Sequence, residues 1–273
     1  MMSSYIILLS SPLENISEVM TEIKQSKNFI YDFILKYDHG IQQKYIINRN
    51  NEENFTPSVE IDSLRFRYNE NEDYLFKDIN LSIKAGNFVT FTGKSGSGKT
   101  TLAELINKTL SPVSGRILFG GYDIKIVTDE WLSEKIFMDT ILFNMQIANP
   151  HAKHDQIIHA LALSCFRDDF NLSENELLSM QIGDEGTRLS GGQKQRLSLA
   201  RLFLRAPPPE LIILDEITSA LYWHNEKVLY TNIKNYFPDA TIINISHRIT
   251  TMENSDYIFV FERGCLIDGG TFF

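Results

Sequence analysis

Gly93-Lys94-Ser95-Gly96-Ser97-Gly98-Lys99-Thr100 lies between a short apolar run at 88–92 and a segment whose apolar residues Leu102, Leu105 and Ile106 recur at helical spacing. A chain of phosphates needs several convergent backbone N–H groups, which calls for glycines so that the main chain can come close, and it is favoured at a helix N-terminus. Lys99 supplies a flexible cation for β- and γ-phosphates, and the hydroxyl of Thr100 can hold Mg²⁺. The surrounding order of strand, loop and helix is the one this chemistry requires. These eight residues therefore predict a phosphate-binding loop at the carboxyl end of a buried strand.

The pattern extends outward from the loop. Residues 59–68 show the period-two alternation of a strand. Leu211-Ile212-Ile213-Leu214 and Thr241-Ile242-Ile243-Asn244-Ile245 are short apolar runs bounded by polar residues, as buried parallel strands are. Helical patterns at 155–164, 190–205 and 224–236 lie between them. Strands alternating with helices predict an α/β domain with a central, mostly parallel sheet. Residues 1–57 read differently. Ile16, Val19, Met20, Ile23, Phe29, Ile30, Phe33 and Ile34 recur at helical spacing, and the polar run 48–54, closed by Pro57, reads as a linker. The expected division is thus 1–57 and 58–273.

Composition narrows the classes of function. With 43% hydrophobic and 22% charged residues over 273 positions, the chain has the make-up of a folded domain with an ample core. A formal net charge of −9, without a Lys/Arg block to offset it, disfavours nucleic acid as a partner. Cys165 and Cys265 stand far apart with no CxxC pair, which argues against a zinc site; both are expected to be small buried hydrophobes in a reducing compartment. No apolar run approaches the roughly 18 residues that a bilayer span requires, and Tyr5-Ile6-Ile7-Leu8-Leu9 lacks the basic flank of a signal peptide. On this reading the chain as it stands does not cross a membrane and carries no visible targeting signal.

Two further segments carry chemistry. Asp215-Glu216 comes directly after the apolar run 211–214. Such a pair can hold the shell of Mg²⁺ through Asp215 and polarise an attacking water through Glu216, although acids after a strand also serve as plain helix caps. Leu189-Ser190-Gly191-Gly192-Gln193 opens the helical run 190–205. Ser190 is a good N-cap, but each glycine in a first turn is unfavourable by roughly 1 kcal/mol relative to alanine. Either the cap is an ordinary one, or the backbone there must approach a ligand, such as a phosphate of a nucleotide bound to a second copy.

Together the phosphate loop, the Leu-Ser-Gly-Gly-Gln segment upstream of Asp215-Glu216, and Ser246-His247-Arg248 after the next strand resemble the nucleotide-binding domain of ATP-binding cassette (ABC) transporters over about residues 59–271. The resemblance implies a P-loop NTPase fold with a mostly parallel central sheet, an N-terminal antiparallel β subdomain and a helical subdomain carrying residues 189–193. It implies ATP and Mg²⁺ as ligands. ATP would be held by Tyr68 of Phe66-Arg67-Tyr68 stacking on adenine and by Gly93, Lys94, Ser95, Gly96, Ser97, Gly98, Lys99, Thr100 and Thr101. Thr100 and Asp215 would hold the metal, Glu216 and His247 would act on the attacking water and the γ-phosphate, and Leu189, Ser190, Gly191, Gly192 and Gln193 would contact ATP bound to a second cassette. The implied partners are an identical or different cassette and a membrane domain, in another chain or upstream. The implied place is the cytosolic or organelle-matrix side of a membrane. Gly183-Asp184-Glu185-Gly186 is similar to an exporter segment, and residues 9–35 look like the end of a half-transporter's last membrane helix, most like the mitochondrial iron–sulfur-related exporters.

Some positions depart from that pattern. Lys135-Ile136-Phe137-Met138 leads directly into Asp139-Thr140-Ile141-Leu142-Phe143, about three residues short, so the family's Mg²⁺-touching glutamine is absent. Gln146 lies past the matching segment. A second shortening falls near Ile147-Ala148-Asn149-Pro150, Tyr222 replaces the aspartate that comes after Ile217-Thr218-Ser219-Ala220-Leu221, and the chain ends on Gly270-Thr271-Phe272-Phe273 where the family has glycine–threonine–histidine. The expectation is an exporter ATPase of reduced rate. The alternative is a degenerate ATP-binding scaffold with little turnover. A soluble DNA-repair or translation cassette is disfavoured, since the chain shows neither tandem cassettes nor a coiled-coil insertion.

Overall fold

The computed structural model describes residues 55–127, 139–183, 186–215 and 223–272, all within one unit, Lys44–Phe273. Strand β1 (Val59–Phe66) alternates buried and exposed side chains, because one face packs inward and the other meets solvent. The alternation slips between Ile61 and Leu64, where Ser63 adopts φ 49°; this bulge returns Leu64 and Phe66 to the buried face. β1 pairs with β2 (Phe76–Ile83) on one side and β4 (Ser114–Phe119) on the other, and the short β5 (Tyr122–Asp123) completes an antiparallel sheet of order β2-β1-β4-β5. This is the antiparallel subdomain that the resemblance implied.

The second sheet has the order β6-β7-β3-β8-β9, formed by β3 (Phe88–Gly93), β6 (Leu211–Asp215), β7 (Thr241–Ile245), β8 (Tyr257–Glu262) and β9 (Cys265–Gly270). β6, β7, β3 and β8 are parallel and β9 is antiparallel, as expected of a mostly parallel sheet. β7 is buried at every position, which is why, after Thr241, its sequence is an apolar run broken by Asn244. Successive side chains serve different cores. Val89, Phe91, Ile243 and Ile245 join the layer shared with the antiparallel sheet and helix α1 (Lys99–Ile106). Phe88 and Ile242 join the opposite core. Asn244, on that second face, accepts a hydrogen bond from the Tyr230 hydroxyl at 3.1 Å.

That opposite core also gathers helices α2 (Ile141–Gln146), α3 (His154–Leu163), α4 (Glu174–Ser179), α5 (Gly191–Phe203) and α6 (Trp223–Tyr236). Residues 189–193 thus lie at the start of α5 in a helical region, again as expected. α7 (Ile249–Glu253) comes after β7. Two buried arginines fix α5. Arg196 pairs with Asp169, and Arg201 donates to the Asn144 backbone carbonyl at 2.8 Å and to its side-chain oxygen at 2.6 Å. Desolvation lowers the Arg201 pKa to about 10.

Cys165 is buried, as expected, but Cys265 is exposed, which corrects the expectation from sequence. β9 is the edge strand of its sheet, and most of its side chains meet solvent whatever their polarity. Several expectations from sequence lie outside the described residues: the helical pattern at 13–35 and the linker at 48–54, the segment Lys135 to Met138, Asp184 and Glu185, Glu216, and the stretch to Tyr222. Among the described residues, no helix is long and apolar enough to cross a membrane.

Burial pushes the Cys165 thiol up from its ordinary pKa, so in the native protein iodoacetamide should label Cys265 and leave Cys165 unlabelled until denaturant is added, as read by mass spectrometry. Asn144→Ala removes an acceptor from the buried Arg201 cation and should lower the unfolding free energy by about 1.5–3 kcal/mol in urea titrations.

Candidate functional site

β3 ends at Gly93, and the chain turns back over the sheet edge before entering α1. The turn requires backbone that side chains resist: Gly93 has φ 140° and Gly98, the N-cap of α1, has φ 100°. A Cβ at Gly93 would run into the Phe261 carbonyl, and one at Gly98 would stand 2.7 Å from the Phe76 ring. No side chain caps α1 and its first turn holds no acid, which suits a helix N-terminus that receives an anion. The Lys99 ammonium folds back to donate to the carbonyls of Gly93 at 2.9 Å and Lys94 at 3.0 Å and to the Ser97 hydroxyl at 3.2 Å.

A cavity of about 410 Å³ opens on this loop. It is lined by Gly93, Lys94, Ser95, Gly96, Gly98, Lys99, Thr100 and Thr101, and from the neighbouring strand end by Ile245 and His247. Register explains the meeting. Phe91 of β3 and Asp215 of β6 both lie opposite Ile245 of β7, so β6 and β7 end level and β3 runs two residues further, to Gly93. The exposed Asp215 is therefore on the same sheet edge as the loop. Tyr68, just past β1, is 56% exposed; its hydroxyl is 2.6 Å from Thr101 Oγ1 and its ring packs edge-on against Phe66. An aromatic face is thus held beside the first turn of α1.

Residues 189–193 do not line the cavity. Leu189 is buried, Ser190 and Gly191 are exposed, Gly192 is buried and Gln193 is half-buried. Ser190 and Gln193 form a reciprocal cap: Ser190 Oγ accepts from the Gln193 N–H at 3.2 Å, and Gln193 Oε1 accepts from the Ser190 N–H at 2.9 Å. A Cβ on Gly191 would meet nothing within 4 Å. No packing among the described residues calls for the glycine at that position. Gln146, at the end of α2, is likewise absent from the cavity lining, and Glu216 lies outside the described residues.

The parts that brace the loop leave no mark in the sequence. Phe76 of β2 sits under Gly98, Phe261 of β8 sits against Gly93, and the Gly264 N–H, in the turn after β8, donates to the Ser97 carbonyl at 3.1 Å. These contacts join residues tens to hundreds of positions apart, and no local pattern signals them.

The family model for the ABC transporter matches residues 76–219, just over half of the chain. The chain belongs to the ABC transporter family. Microcin-J25 export ATP-binding/permease protein McjD of Escherichia coli is 38% identical over an alignment of 284 residues that covers all of this chain and 47% of the relative. A bacterial Atm1-family ABC exporter, solved with ATP bound, superposes with a TM-score of 0.72 at 28% identity, over 98% of this chain and 48% of that one. The chain spans about half the length of the relatives it matches. The matched region is an ATP-binding cassette.

The two glycine environments separate by substitution. Gly98→Ala combines a positive φ with a steric conflict at Phe76 and should destabilise the fold by about 1–3 kcal/mol. Gly191→Ala meets open space and should leave stability unchanged or raise it by up to about 1 kcal/mol. Thermal melts of the two variants beside the parent test the contrast.

Proposed function

We propose that this cassette couples ATP-driven dimerisation to export through a membrane domain. The observation that carries the reading is the cavity in which the loop 93–101 meets Ile245 and His247. The triphosphate would lie along the loop and the N-terminus of α1, with Lys99 on the β- and γ-phosphates and the adenine against Tyr68. Stacking of a base on an aromatic ring is worth about 1–3 kcal/mol. Glu216 would polarise the attacking water, and His247 would contact the γ-phosphate and hold that water. Thr100 and Asp215, hard oxygen donors on one sheet edge, suit Mg²⁺. The metal, when bound, would neutralise charge on the phosphate oxygens.

Residues 189–193 would act on ATP held by a second cassette, identical or different. Their absence from this chain's own cavity and the open space at Gly191 support that arrangement. Residues 1–57 would form the end of a membrane domain and its linker. The alignment with McjD runs over the whole chain, whereas the family match begins at residue 76. The rest of that membrane domain would precede these residues or come from another chain, leaving the cassette on the cytosolic or matrix face. The missing glutamine before Asp139 and Tyr222 in place of aspartate would slow turnover without preventing it.

Loss of a general base typically costs about 10²- to 10⁴-fold. Glu216→Gln should lower phosphate release by that factor while ATP binding persists, and the variant should elute as a dimer when gel-filtered with ATP. A parent with no turnover, or a variant that hydrolyses ATP at the parental rate, would overturn the reading.

A further inference from the structure

Behind the cavity, one buried charge is directed at the loop that carries His247. Glu226, in the first turn of α6, is 1% exposed. Its Oε2 accepts from Arg248 Nη1 at 3.0 Å and from the Thr250 hydroxyl at 3.0 Å, and its Oε1 accepts from the Thr251 hydroxyl at 2.8 Å. All three donors belong to the four residues immediately after His247. On its other side, the buried Ser246 hydroxyl accepts from the Arg248 backbone N–H at 3.1 Å and lies 3.2 Å from Thr251 Oγ1. His247 stands between Ser246 and Arg248, inside this ring of bonds in sequence, and itself lines the nucleotide cavity.

A purely structural contact between α6 and α7 would not call for a carboxylate. Burying a charge carries a desolvation penalty that an apolar side chain of the same volume avoids, and replacing buried ionic groups by packed hydrophobes is often neutral or stabilising. A carboxylate with three directed donors does something an apolar contact cannot: it sets the direction of each bond. Here those directions define the path of 246–251, which comprises the three-residue connection after β7 and the first residues of the five-residue helix α7.

We propose that Glu226 is a positioning residue for His247: by gathering Arg248, Thr250 and Thr251 on one buried carboxylate, it holds the histidine where it meets the γ-phosphate. This rests on the role of His247 in the export reading. Glu226 is absent from the cavity lining and acts through that loop, so its effect falls on the chemical step and not on ATP affinity. A displacement of about 1 Å at a reacting group can cost on the order of 10²-fold.

The test uses the full chain. Glu226→Gln keeps the shape and removes the charge; Thr251→Val removes one donor and serves as the gentler probe, with Thr251→Ser as the rescuing variant. Glu226→Gln should lower kcat by about 10- to 100-fold, and Thr251→Val by less, with ATP affinity within about twofold of the parent. With ¹³C-labelled histidine, the imidazole signals assigned to His247 by their loss in His247→Ala should move in Glu226→Gln, while those of His151 and His154 stay. Parental kcat in folded variants, ATP affinity falling together with kcat, or unmoved His247 signals would each overturn the proposal. Should Glu226→Gln fail to fold, Thr251→Val against Thr251→Ser decides it by the same readouts. A parent chain without turnover sinks this proposal and the export reading together; parental turnover that the variants leave untouched sinks this one alone.

Discussion

The parallel register of β6, β7 and β3 is the constraint on which the rest of the molecule depends. Because Asp215 and Phe91 both lie opposite Ile245, β6 and β7 end level, two residues short of the end of β3, and the segments leaving all three start from one edge. A slip of one residue in β7 would exchange its faces. Ile243 and Ile245 would leave the layer shared with the antiparallel sheet, and Asn244 would be driven into it. The register is therefore held by two hydrophobic cores at once, and burial sets the level of that edge.

On that edge the loop 93–98 is braced by packing from elements outside it. Leu75-Phe76 from β2 and its approach and residues 261–264 from β8 and its turn press on it from different sheets. Lys99 ties its own side chain to the loop carbonyls. A site held by packing from elements outside it needs little rearrangement on binding, which is where preorganised electrostatics draw their effect. The order β7-β3-β8 makes this possible, since β8 lies beside β3 and brings Phe261 opposite Gly93.

The helical region obeys a different rule. α5 begins with exposed Ser190 and Gly191 and a self-contained Ser190–Gln193 cap, then sinks into the core through Leu197, Ala200 and Phe203. Two buried guanidinium groups tie it to Asp169 and to Asn144 of α2. The helix is thus positioned by polar contacts of fixed direction from the same region that carries residues 141–146. Ser190 and Gly191 at its start remain on the surface.

Much of this is legible from residue order, because the features are local. The glycine spacing of 93–98, the apolar runs of β3, β6 and β7, and Ser190 three residues before Gln193 each reflect backbone geometry within a few positions. Cys265 is the counter-example: its polarity suggests burial, while its place on an edge strand exposes it. β2, β8 and β9 and the bracing contacts of Phe76, Phe261 and Gly264 are not legible in this way, since a close approach between distant segments leaves no periodic trace. The sequence by itself determined the candidate chemistry: a glycine-rich loop suited to phosphates, acids at a strand end and a capped glycine-bearing helix start, all set by side chains and dihedrals within one turn of chain. Only the tertiary structure decided which of these share a cavity and which stand apart, because strand order and register, fixed by burial across the whole domain, bring His247 to the loop and leave residues 189–193 outside it.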